Sequence, residues 1–328
     1  MKNRRNRRRD GFSSRLLLYV RKITGIPFRN ISKLKEGIWL AAAPREKWII
    51  KEFSKPEKVY QQYLLTRLLR ENGFHHTYTF HPIHQSGPCF FEKRCLGFIQ
   101  FVESDNDDLF QYSHAKDRKE ALALISQFHD ATSKCLEAMK ARLPTCDLPG
   151  KWEKRIKQFQ TDIQHFKDSS AFPYLERYSR IGEYALSLMN QHSAYFYREP
   201  HCILHGDLAH HNFIRTQHGR LYIIDFDLIS MGPKYIDILQ YCNRISSSLD
   251  WSPKKLFSEG EEIRRYAEDL PFLAALLYPA DIFREWKYLL QFDDKRRKAH
   301  WKYVKDITFL QFKKRMQYSE HLMERINK

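Results

Sequence analysis

The segment HGDLAHHNF carries His205, Asp207 and Asn212, and the later run LYIIDFD ends an apolar stretch on Asp225 and Asp227. The spacing is H-x-D-x-x-x-x-N followed by an apolar strand and D-F-D. Asp207 follows a strand-like run, where a carboxylate can face a substrate hydroxyl. Asn212 offers a neutral oxygen in the same loop, and Asp225 a second carboxylate at a neighbouring strand end. A magnesium–nucleotide complex asks for hard oxygen ligands and little else from a protein. Phosphoryl transfer asks for a carboxylate that positions or deprotonates the hydroxyl, for metal holders, and for positive charge on the phosphates. The three residues can meet the first two demands. Single Asp residues often only cap turns beside strands, but the full spacing in a strand–loop–strand setting asks for more than turn capping.

The elements that must position these residues change character along the chain. ISKLKEGIWLAAA and KWIIKEF are short apolar or alternating runs separated by Gly37 and the turn PREK, the pattern of strands joined by hairpins. KPEKVYQQYLLTRLLRENGF follows, with Tyr60, Leu64, Leu65, Leu68 and Leu69 at helical spacing and Asn72-Gly73 as a stop. CFFEKRC and GFIQFVE predict two further strands. After Ser104 the pattern is mainly helical, at 117–138, 150–168 and 173–193, with a last helix from 293 to 326. Strands return only between Cys202 and Asp225. Residues 1–12 read as a flexible basic arm and 13–23 as a short amphipathic helix with Leu16, Leu17 and Val20 on one side.

The bulk numbers bound the answer. The chain has 328 residues, 42% of them hydrophobic, with 23 Phe, 18 Tyr and 12 Gly, so it can bury a sizeable core in two domains or one two-lobed one. The net charge of +17, densest in MKNRRNRRR, favours anionic partners without choosing among them. Six cysteines without a C-x-x-C pair predict reduced thiols rather than a disulfide scaffold. The apolar runs are too short to cross a membrane and the N-terminus is a poor secretory signal, so the expected location is the cytoplasm. The arm could bind nucleic acid non-specifically, but no aromatic interleaving supports a specific reader.

HGDLAHHN resembles the catalytic loop of the aminoglycoside phosphotransferase and choline kinase group, and IIDFD resembles its metal-binding segment. IIKEF, LLRENGF, FIQFVES and LYPADIFREWKYLL are similar to the bacterial spore-coat kinase-like (CotS type) branch. The resemblance covers about residues 30 to 320. It implies an α+β, bilobal protein-kinase-like fold: a basic arm and short helix over 1–27, a small antiparallel-sheet N-lobe that binds nucleotide over 28–103, and a mainly helical C-lobe for catalysis and acceptor binding over 104–328. It implies that Asp207 is the catalytic base or orienting carboxylate, that His205 braces its loop, and that Asn212 and Asp225 bind Mg2+. Lys51 would meet the phosphates of ATP or GTP, and Gln100, Phe101, Val102 and Glu103 would form the hinge beside the base. Asp227 and Asp237 would be supports, the second tying the loop from below. The implied activity is transfer of the γ-phosphate to a hydroxyl of a small-molecule acceptor that the sequence does not name.

One departure stands out. The helix after Lys51 should offer a Glu to that lysine, and counting back from LLRENG places Gln61 there, with Glu57 one turn earlier. A neutral amide does not match a charge interaction. The alternative is therefore a weak or inactive kinase-fold protein that serves as a binding or structural component, with spore-coat proteins as partners and the spore coat as location. Other clusters explain less. His75, His76, His81 and His84 fit no familiar metal spacing, and His201, His205, His210 and His211 around the catalytic loop suit a di-metal hydrolase less well than Asn212 and D-F-D suit a kinase. His129 and the scattered Trp residues read as packing.

Overall fold

The computed structural model describes residues 2–328, with side chains from Gly11 onward. The chain packs as two compact units, one of residues 1–110, 127–143 and 211–229, the other of residues 111–126, 144–210 and 230–328.

The first unit is built on five antiparallel strands: β1 (Asn30–Lys35), β2 (Ile38–Ala42), β3 (Lys47–Phe53), β4 (Cys89–Phe91) and β5 (Arg94–Gln100), in the order β1-β2-β3-β5-β4. In β3, alternation sends Trp48 and Ile50 to one face and Ile49, Lys51 and Phe53 to the other. Helix α1 (Lys2–Thr24) covers the first face, where Leu16 and Val20 join Phe28, Trp39, Ile50, Leu96 and Phe98 in a buried core. The arm and the short helix expected at the N-terminus thus form one helix, and the side chains of the Arg-rich run before Gly11 lie outside the described residues. Helix α2 (Pro56–Glu71) packs against β3 and β5. Pro56 sits in its first turn, where no amide partner is needed, and Gly73 leaves it at φ +83°.

Two strands were expected at CFFEKRC and GFIQFVE. The chain instead reverses inside the first run, at Glu92 (φ +47°) and Lys93 (φ +66°), so that β4 and β5 form a tight hairpin. Two central residues at positive φ match the twist of the flanking strands, but neither is the Asn or Gly that announces such a turn. Arg15 of α1 holds Glu92 at 2.7 Å. Helix α3 (Ala115–Met139) contributes its second half to this unit, as do strands β7 (Phe213–Arg215) and β8 (Leu221–Ile223).

The second unit is mainly helical. It holds α4 (Leu148–Ile163), α5 (Phe172–Gln191), strand β6 (His201–Leu204), strand β9 (Ser230–Pro233) and α6 (Tyr235–Ile245). Beyond them come α7 (Pro253–Phe257), α8 (Glu261–Arg264), α9 (Leu270–Leu277), α10 (Ala280–Gln291), α11 (Asp294–Lys305) and α12 (Phe312–Ile326). Strand β9 has no apolar alternation and contains Gly232 and Pro233, so its sequence gives no strand signal. It pairs antiparallel with β6, and a Cβ at Gly232 would lie 2.9 Å from Leu204 Cδ1. The long last helix expected over 293–326 is interrupted by a π-helical turn, Asp306–Leu310. Trp286 donates to Thr308 Oγ1 at 2.9 Å and Tyr178 donates to the Thr308 carbonyl at 3.3 Å, which accounts for the local break in the helical ladder.

The protein therefore has a protein-kinase-like fold, with an N-terminal five-stranded antiparallel sheet followed by a mainly helical part. Among the described residues no helix is long and apolar enough to cross a membrane. All six cysteines are free thiols.

Beneath the D-F-D segment, Phe226 is fully buried, stacked on Phe128 at 5.7 Å and 6°, with Phe74 edge-to-face against Phe128 and Tyr78 beside Phe226. Phe128→Ala should cost about 3–5 kcal/mol in chemical denaturation, because the cavity opens under a segment fixed by that ring.

Candidate active site

Lys51 lies in the middle of β3, opposite Gly97 of β5. Gly97 leaves room on that face for the Phe53 ring, which a Cβ would meet at 2.6 Å. Lys51 is mostly buried, and its Nζ stands 2.8 Å from Asp225 Oδ1 and 2.7 Å from Asp227 Oδ1. Both carboxylates come from D-F-D. Asp225 follows β8 in the left-handed region, at φ +72° and ψ +71°, a conformation that Asp tolerates better than most side chains. Asn212 is brought to the same place by β7 and β8: the Ile224 amide, just before Asp225, donates to the Asn212 carbonyl at 2.9 Å.

Lys51, Asn212 and Asp225 border one cavity of about 230 Å3, whose walls are Ile38, Ile49, Tyr78, Ile99, Ile214 and Ile224. Gln100, Phe101 and Val102 form its rim. Glu103, expected in the hinge beside the base, is not part of this lining. Its carboxylate turns to Lys47 at 2.6 Å, the first residue of β3, which also lies over the Phe101 ring. Among the described residues no hydrogen bond uses the Val102 amide, which leaves a donor at the rim.

The expected partner position in α2 is off by one. Gln61 donates to the Arg142 carbonyl, and among the described residues no hydrogen bond joins it to Lys51. Glu57 is exposed. The helix residue that reaches the lysine cluster is Gln62, fully buried, whose Nε2 donates to Asp227 Oδ1 at 2.7 Å while its Oε1 accepts from Tyr78 at 3.1 Å. Successive helix residues differ by about 100° in direction, so an error of one residue moves the side chain to another face. The signal was in the sequence: Val59, Gln62, Leu64, Leu65, Thr66 and Leu69 are the buried residues of the helix, and Gln62 is the one among them with an amide side chain.

The chemistry of this group is that of a charge moved from helix to loop. Burial raises the Asp227 carboxyl, but the Lys51 charge and hydrogen bonds from Lys51 and Gln62 outweigh it and hold Asp227 below its ordinary value. Burial and the Asp225 charge push Tyr78 well above the usual phenol range, so it stays a donor. An amide at position 62 can donate to Asp227 and accept from Tyr78 together. A glutamate there would set two carboxylates against each other.

Asp207 and His205 belong to the second unit. His205 is fully buried, and its Nδ1 accepts from the Asp207 amide at 3.3 Å. Buried Asp237, from the first turn of α6, accepts from the His205 amide at 2.8 Å and the Gly206 amide at 3.0 Å, with Gly206 at φ +79°. Arg244, two turns along α6, places Nη2 2.8 Å from Asp207 Oδ1. Sequence reasoning did not single out Arg244; residues seven apart share a helix face, so Asp237 marks where to look.

The histidine group around His84 is structural. His84 is fully buried, its Nε2 accepts from the Phe98 amide at 2.9 Å, and its Nδ1 faces the Gly87 carbonyl at 3.1 Å. Burial pushes it down to about 4, which keeps the ring neutral. Among the described residues no group of three or more His, Cys, Asp or Glu is arranged to hold a metal.

Residues 106–276, just over half of the chain, match the model of the phosphotransferase enzyme family, APH. The chain belongs to this family. Among curated proteins nothing matches it. Several solved structures share its fold. An aminoglycoside phosphotransferase from Alicyclobacillus acidocaldarius is 15% identical at a TM-score of 0.69, over 92% of this chain and 93% of its own. Spectinomycin phosphotransferase APH(9)-Ia, solved with ADP and spectinomycin, is 13% identical at 0.67, over 93% and 98%. The choline kinase LicA from Streptococcus pneumoniae is 15% identical at 0.50, over 96% and 99%. At these identities the likeness concerns the fold of the phosphotransferase family and not its acceptors.

Exchanging the two α2–loop groups tests the charge arrangement. Gln62→Glu and Asp227→Asn should each lower stability near neutral pH, and the double variant should recover part of the loss, with a coupling of about 0.5–3 kcal/mol in denaturant titrations. Asp227 has a folded-state value below its ordinary 3.8, so its ionised form stabilises the fold above that pH. This stabilisation fades as pH falls through the folded-state value, and the stability gap to Asp227→Asn should close there.

Proposed function

We propose that this member of the phosphotransferase family transfers the γ-phosphate of ATP or GTP to a hydroxyl group of a small molecule. The observation that carries the proposal is the Lys51–Asp225 pair, 2.8 Å apart, at the polar end of an apolar cavity rimmed by Gln100, Phe101 and Val102. Apolar walls with a few convergent polar groups suit a nucleotide base at one end and its phosphates at the other. In this reading residues 28–103 supply most of the nucleotide site, and 104–328 supply the catalytic loop and the acceptor site.

The donor set fits magnesium. Asn212 and Asp225 offer an amide and a carboxylate oxygen at the same cavity wall, hard ligands of the kind Mg2+ takes alongside phosphate oxygens and water. When bound, the ion would supply positive charge that offsets the negative charge developing on the phosphates in transfer. Lys51 would hold the phosphates, with Asp227 beside it as a counter-charge. Asp207 would orient the acceptor hydroxyl and accept its proton, while Asp237 fixes the loop backbone and Arg244 fixes the carboxylate. His205, buried under the loop, would brace it.

The non-catalytic reading, including a role as a component of a spore coat, drew on a neutral residue facing Lys51. The Asp227 carboxylate supplies the missing charge, and the active reading is the stronger one. Asp207→Asn should lower turnover by about 10²–10⁴-fold and leave Mg2+-dependent nucleotide binding intact. Asp225→Asn should weaken that binding. A thermal-shift titration with ATP and GTP, run beside a turnover assay, separates the two. Wild-type protein without any Mg2+-dependent nucleotide shift would overturn the proposal.

A further inference from the structure

In the second unit the Asp207 loop stands among cations that outnumber their partners. Residues 144 and 146 bond to Met231 of β9 on both sides, at 2.8 Å each, and β9 pairs with β6, which leads into the loop. Helix α4 begins at this point, with Asp147 capping the Gly150 amide at 2.9 Å. Lys151 therefore emerges in the first turn of α4, close enough for the Asp207 charge to act on it. Arg155 follows one turn later on the same face. Its Nη1 donates to the carbonyl of Ala280 at 3.2 Å, at the start of α10, which carries Arg284. Arg244 completes the group from α6.

The carboxylates nearby are already engaged. Arg284 and His300 hold Glu285, at 2.7 and 2.9 Å, and Arg315 holds Asp281. Asp207 has Arg244. Among the described residues no carboxylate pairs with Lys151 or Arg155. Lys151 reaches solvent, yet its crowded surroundings and the Arg155 charge hold its ammonium below the ordinary lysine range. Crowding lowers Arg155 as well, and the Arg284 charge adds to it against the opposing influence of Tyr278, Tyr288 and Glu285. Like charges gathered beside a reaction centre, two of them without a carboxylate in ion-pair contact, repel one another, and they also repel a cationic acceptor such as the quaternary ammonium of choline.

Resting on the phosphotransferase reading, we propose that the acceptor is an anionic alcohol, with a carboxylate or phosphate group bound between Lys151 and Arg155 and its hydroxyl directed at Asp207. Arg and Lys in combination suit either anion, the guanidinium through paired N–H donors and the ammonium as a point charge. In the transfer, the hydroxyl oxygen bonds to the γ-phosphorus as the bond to the β–γ bridging oxygen breaks. The hydroxyl proton passes to Asp207 and the nucleoside diphosphate leaves.

The test is a thermal-shift series on the full chain with saturating Mg–ADP, so that the nucleotide site is filled. D-Gluconate and glycerol 3-phosphate are the anionic probes and distinguish carboxylate from phosphate; glucose, glycerol and choline are the controls. At least one anion should raise the Tm and the controls should not. Lys151→Ala with Arg155→Ala should weaken the anion's apparent affinity at least tenfold, and the ADP-induced shift reports that the protein is folded. If that pair does not fold, Lys151→Gln with Arg155→Gln replaces it. A shift by choline and by neither anion, an anion shift undiminished in the double variant, or no shift with either anion overturns the acceptor inference alone. Loss of the ADP shift in wild-type protein overturns the phosphotransferase reading itself.

Discussion

A lysine ammonium that is only 13% exposed must have negative charge held beside it, and much of the first unit is arranged around that need. Both counter-charges come from D-F-D, so this short segment cannot be allowed to drift. Phe226 anchors it in an aromatic stack, Gln62 ties its second carboxylate to α2, and the β7–β8 hairpin fixes the approach to its first. The sheet contributes the lysine and, through Gly97, the space beside it. The identity of Gln62 then follows from charge balance: with the carboxylate on the loop, the helix must supply a neutral donor.

Much of this was legible in the sequence. The strand–helix–strand order came from periodicity, which is strong where apolar residues recur regularly, and the expectation of a kinase-like fold came from the family resemblance that HGDLAHHN and IIDFD carry. Boundaries and partners were less so. The turn at Glu92-Lys93 lacks the residues that usually mark a left-handed pair, and β9 is a strand made by pairing with β6, not by propensity. The break at 306–310 depends on Trp286 and Tyr178, both distant in sequence. Gln61 was favoured over Gln62 because counting from a helix end carries an error of a residue or two, whereas the buried stripe in α2 does not.

The cationic cluster of the second unit is harder to read from sequence than the lysine site of the first. Lys151, Arg155, Arg244 and Arg284 come from three helices and form no linear motif. Their neighbourhood follows from tertiary packing: Trp152 stacked on Tyr278 at 4.3 Å sets α4 against the start of α10, and Asp237 sets α6 against the loop. Composition alone shows an excess of positive charge, and only the ion pairs show where it is left unbalanced.

The left-handed backbone at Asp225 has a bearing on how function is dissected by mutagenesis. Holding a non-glycine residue there costs about 1–2 kcal/mol, a cost that Asp and Asn moderate through local hydrogen bonds and alanine does not. Truncation to alanine at this position would therefore change two things together, the carboxylate and the bend of the chain that carries it. Asparagine keeps the bend and removes the charge. Inactivity of an alanine variant would say little about metal binding, since a relaxed D-F-D segment would also release Lys51 and unseat the ring of Phe226.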